Sequence, residues 1–78
     1  MKTIKILGSG CAKCKTLYQN TLEAVKQTGI EAEVIKIEDF QEMMKYNVLT
    51  TPVLMIDDKA VIKGRVADIA EIKTLLTH

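Results

Sequence analysis

Two cysteines three positions apart, Cys11 and Cys14, stand where a short apolar run gives way to a long amphipathic one. Ile4 to Leu7 reads as the buried end of a strand. Gly8-Ser9-Gly10 breaks it and lets the backbone turn sharply. From Cys14 onward, Leu17, Tyr18, Leu22 and Val25 recur at helical spacing, with Thr21 and Ala24 filling the same face, so Lys15 to Thr28 is predicted to be a helix. Cys11 and Cys14 then share one side of its first turn. Their sulfurs can meet across the ~5–6 Å between Cα atoms that a disulfide requires. A thiol at a helix start also faces unsatisfied N–H groups and the positive end of the helix dipole, both of which favour the reactive thiolate. The spacing therefore implies a pair that cycles between dithiol and disulfide.

The rest of the chain bounds what that pair can serve. Its 78 residues suit one small domain, expected to span residues 1–78. Eleven basic and ten acidic residues are interspersed, there is no Trp, and one Phe is present, which argues against a nucleic-acid partner. No apolar run approaches the ~20 residues of a membrane span. Charge at Lys2 and Lys5 interrupts the first apolar segment, so it does not read as a signal peptide, and a cytoplasmic location is expected. In that setting a lone C-x-x-C beside a strand-helix-strand pattern reads as a redox motif rather than as a disulfide framework.

Past Gly29, a helix stop, β-branched residues dominate Glu31 to Ile37 and predict a second strand. Asp39 can cap a short helix from Phe40 to Tyr46, with Met43 and Met44 turned inward and Asn47 as its stop. Val48 to Pro52 is a loop. Pro52, the single proline, opens the apolar strand Val53 to Ile56. Asp57-Asp58-Lys59 turns the chain into Ala60 to Lys63, forming a hairpin. Gly64 ends it, and Asp68 to Leu76 sets Ile69, Ile72, Leu75 and Leu76 on one helical face. Tyr18 and Tyr46 are expected as half-buried packing residues.

This β-α-β-α-β-β-α order, with C-x-x-C opening the first helix and Thr51-Pro52 opening the third strand, resembles the small, glutaredoxin-like form of the thioredoxin fold. The resemblance covers essentially the whole chain. It implies an α/β domain with a four-stranded mixed sheet flanked by three helices. It also implies that Cys11 is the attacking thiol, Cys14 the resolving thiol, and Pro52 a cis-proline lying against the active disulfide. Thr51 would offer its backbone to an extended substrate peptide, in a strand-addition mode. Gly10, Ala12 and Lys13 would line the same substrate site.

Several positions depart from the family pattern. Gly10 stands where thioredoxins have Trp, Ala12-Lys13 where they have Gly-Pro, and Lys5 about where they bury an Asp. The Gly64-Arg65-Val66-Ala67-Asp68 turn only loosely matches the glutathione-holding turn of glutaredoxins. The expected activity is thiol-disulfide exchange with protein substrates, without a cofactor or metal, by a monomer fed by a thioredoxin-reductase-like electron donor. Two alternatives stand beside it. One is a soft-metal carrier using the same two thiolates, since small β-α-β-β-α-β metallochaperones also place C-x-x-C after a first strand. The other is a non-catalytic adaptor.

Overall fold

Residues 2–8, 12–47 and 50–77 are described by the computed structural model. The chain runs β1 (Lys2–Leu7), α1 (Ala12–Thr28), β2 (Ala32–Ile37), α2 (Phe40–Met44), β3 (Val53–Ile56), β4 (Lys59–Lys63) and α3 (Ile69–Leu76), the order the sequence predicts. The four strands form one sheet in the order β2-β1-β3-β4. β1 pairs parallel with β2 and antiparallel with β3, and β3 pairs antiparallel with β4, so the sheet is mixed.

Strand alternation divides the core between the two faces of the sheet. Ile4 and Ile6 of β1, Leu54 and Ile56 of β3 and Ile62 of β4 pack with Leu17 and Ala24 of α1 and Ile72 and Leu76 of α3. The opposite face gathers Leu7, Val53 and Met55 under Met43 of α2, with Ile37 and Tyr46 at its margin. β3 is buried along its whole length because it has helices on both sides.

The element ends follow local chemistry. Gly29 closes α1 at φ 69°, a left-handed value that costs glycine little. The Asp39 carboxylate accepts the Gln41 N–H at the start of α2, and the Asp68 carboxylate accepts the Glu71 N–H at the start of α3. Asp57 and Asp58 both take positive φ, the conformation that a two-residue hairpin turn requires. β4 therefore begins at Lys59, one residue earlier than expected, and a bulge opposite Leu54/Met55 absorbs the offset.

Three expectations need correction. α1 starts at Ala12, not Lys15, because its first turn already seats Cys14 in the interior. The buried seam of α1 is Cys14, Leu17, Thr21 and Ala24; Leu22 lies beside that seam and is 41% exposed. α2 ends at Met44 rather than Tyr46, and Met44 is 60% exposed, since so short a helix buries only the one side that carries Met43. No helix among the described residues is long and apolar enough to cross a membrane.

Candidate active site

β1 ends at Leu7, and Gly8 continues its ladder by donating its N–H to the Ile37 carbonyl at 2.9 Å. The chain comes back as α1, whose first buried residue, Cys14, is 5% exposed. The Cys14 sulfur lies directly on Gly8: a Cβ built at Gly8 would overlap Cys14 Sγ and come within 3.2 Å of Cys14 Cβ. From the same point the Cα of Pro52 is 3.9 Å away. The end of β1, the first turn of α1 and the start of β3 thus come together around Gly8.

Pro52 is buried, and the Thr51–Pro52 peptide bond is cis. Its carbonyl accepts the Gly64 N–H at 2.8 Å, one step beyond the Val53–Lys63 pairing. Thr51, Ala12 and Lys13 are exposed around Cys14. Cys11 and Gly10 lie outside the described residues, so of the expected site residues the structure brings together Cys14, Pro52 and their neighbours Ala12, Lys13 and Thr51. The first turn of α1 contains no acidic residue, so no carboxylate of its own offsets the positive end of its dipole.

Gly8 was legible in the sequence only as a turn residue. Its φ is not in the left-handed range, so the turn does not explain its lack of a side chain; the close approach of sulfur does. A small residue at the end of a strand that faces a C-x-x-C helix is the signal that could have singled it out.

Lys5 does different work from a buried acid. Its ammonium donates to the Tyr46 hydroxyl at 3.0 Å and to Asp58 Oδ1 at 3.1 Å. These partners, Tyr46 first, raise its pKa above the ordinary 10.5. Arg65 is likewise engaged within the chain, donating through both terminal nitrogens to the Glu71 carboxylate at 2.8 and 2.5 Å. That pairing lowers the Glu71 pKa and raises that of Arg65.

Among the described residues, no three or more His, Cys, Asp or Glu side chains gather as they would to hold a metal ion. The element order also differs from the β-α-β-β-α-β order on which the metal-carrier alternative rested.

Residues 2–77 match a family model described as a thioredoxin domain. The chain is similar to a thioredoxin of Methanothermobacter thermautotrophicus, 42% identical over 77 residues that cover 99% of this chain and 100% of that protein. It is similar as well to a thioredoxin of Methanocaldococcus jannaschii, 40% identical over 73 residues, 94% of this chain and 84% of that protein. With the fold order, the sheet and near-complete coverage in agreement, this chain belongs to the thioredoxin family and is a disulfide oxidoreductase.

Proposed function

We propose that Cys11 and Cys14 form the redox pair through which this chain reduces disulfides in protein substrates. The Cys11 thiolate attacks one sulfur of the substrate disulfide, forming a mixed disulfide and expelling a substrate thiolate. Cys14 then loses its proton to solvent and attacks the Cys11 sulfur, releasing the second substrate thiolate and leaving the chain oxidised by two electrons. A thioredoxin-reductase-like donor returns those electrons. The substrate segment lies extended along Thr51 and Pro52, with Gly10, Ala12 and Lys13 against its other side.

The observation that carries this reading is the seat of Cys14, a sulfur buried in the first turn of α1 against Gly8, whose other close neighbour is Pro52. A buried second sulfur suits an intramolecular attack, because it meets the mixed disulfide and not solvent or a second substrate. The exposed Ala12 and Lys13 beside it leave the approach open for a partner.

The test is a redox titration. The protein is equilibrated in thiol/disulfide buffers of known potential, its thiols are trapped by alkylation, and adducts are counted by mass. One two-electron transition between roughly −200 and −300 mV supports the reading. A disulfide that resists reduction well below about −300 mV points to a structural bond instead. A pair that forms no disulfide but retains metal after purification under reducing conditions points to the metal carrier.

A further inference from the structure

We propose that Gly8 is a positioning residue for the second half of the exchange, holding the Cys14 sulfur in line for its attack on Cys11. This rests on the redox-pair reading above and adds to it a residue outside the C-x-x-C motif.

The argument is steric. Any side chain at position 8 begins with a Cβ, and a Cβ there would occupy the space of Cys14 Sγ. Neither partner can simply move away. Gly8 is tied to the sheet by its N–H on the Ile37 carbonyl at 2.9 Å and follows the fully buried Leu7. Cys14 is tied to α1, whose Leu17, Thr21 and Ala24 are buried to 0% exposure further along the same seam. Retreat of the helix would open the core beneath all three. The remaining freedom is rotation about χ1 of Cys14. A helix disfavours one of the three staggered wells, so the sulfur would have to leave its place for the one other comfortable position.

Such a displacement separates the two steps of the reaction. The first step uses the Cys11 thiolate and the substrate disulfide, and does not involve the Cys14 sulfur. The second needs Cys14 Sγ close to and aligned with the Cys11–substrate bond, and reactions of this kind lose about a hundredfold for a misplacement on the order of 1 Å. A glycine at position 8 therefore sets the rate of resolution and leaves the rate of capture alone.

The experiment reacts the reduced protein with excess dithiobis(nitrobenzoate) in a stopped-flow instrument. The Cys11 thiolate attacks one reagent sulfur, forming a protein–nitrobenzoate disulfide and expelling one coloured thiolate. Cys14, its proton passing to buffer, then attacks the Cys11 sulfur and expels a second. The dithiol is oxidised by two electrons and the reagent reduced by two. In wild type both releases are expected. In Gly8→Ala the first keeps its rate and the second slows by about tenfold or more. A second phase as fast as in wild type overturns the proposal. Failure of the redox-pair reading is distinguishable, because wild type would then end by mass as nitrobenzoate adducts in place of an internal disulfide, and this proposal falls with it. Should Gly8→Ala be too unstable for kinetics, thermal unfolding decides. The substitution must lose most of its destabilising effect in a Cys14→Ala background, where no sulfur is present to be displaced. An equal effect in both backgrounds overturns the proposal.

Discussion

The Lys5 ammonium donates to the Tyr46 hydroxyl at 3.0 Å, joining an interior strand to the turn that follows α2. It reaches Asp58 in the β3–β4 hairpin at the same time, so one cation ties three separate segments together. A position that would carry a buried acid in the family pattern serves here as a scaffold tie.

Replacing Lys5 by Met is therefore expected to lower the melting temperature at neutral pH. The sign of the pH dependence follows from the raised pKa. The folded state holds the proton more tightly than the unfolded chain does. The stabilisation is complete below the ordinary value of 10.5 and is lost as pH rises through the higher folded value. Melting curves of wild type and Lys5→Met, recorded at neutral pH and again in strongly alkaline buffer, should converge on the alkaline side. A gap that persists there would show that the packing of the side chain, and not its charge, is what matters.

Two leucines of α1 make opposite predictions. Leu17 is 0% exposed between the sheet and α3, whereas Leu22 is largely outside the core. Leu17→Ala should cost about 2–5 kcal/mol, the transfer loss plus the cavity left behind. Leu22→Ala should fall within about 0.5 kcal/mol of wild type. Urea unfolding of the two variants separates them directly, and comparable losses would contradict the observed seam.

The start of α3 depends on one carboxylate. Asp68→Ala removes the acceptor for the Glu71 N–H and should cost about 1 kcal/mol, with Asp68→Asn recovering most of it. Glu71 adds an acid-side signature, because Arg65 lowers its pKa below the ordinary 4.5. Its contribution is present above that value and fades as pH falls through the lower folded value. Stability curves of wild type and Glu71→Gln should therefore merge in acid and separate toward neutrality.

At the proposed redox pair, Cys14→Ser should arrest the exchange after capture. Incubated with a disulfide-bonded protein, this variant is expected to accumulate a covalent adduct that reductant releases, detectable as an added mass. Cys11→Ser should form no such adduct. Adducts from Cys11→Ser but not from Cys14→Ser would reverse the assigned roles.

How much of this the sequence reveals depends on the range of the interaction. The helix cap at Asp39, the stop at Gly29 and the strand-opening Pro52 are local, set by backbone chemistry within a few residues, and each is legible. The order of elements follows from periodicity in the same way. Leu22 and Met44 are misread because periodicity identifies an apolar face without saying how wide a strip of it the partner covers. α3 and the sheet bury the Cys14–Leu17–Thr21–Ala24 strip of α1 and leave Leu22 outside it, and five residues of α2 cover little beyond Met43. Tyr46 and Lys5 are 41 positions apart. Their pairing is a property of the folded chain and has no local signature.

The hydrogen bonds of Gly8 to Ile37 and of Gly64 to Pro52 continue the strand pairing one residue past the strands at this end of the sheet. The floor beneath Cys14 is thereby made of sheet and not of loop. Amide hydrogens at Gly8 and Gly64 should consequently exchange with solvent only when the sheet itself opens, on the slow timescale of its interior strands. The redox chemistry proposed for Cys14 thus takes place over a floor fixed by backbone hydrogen bonds.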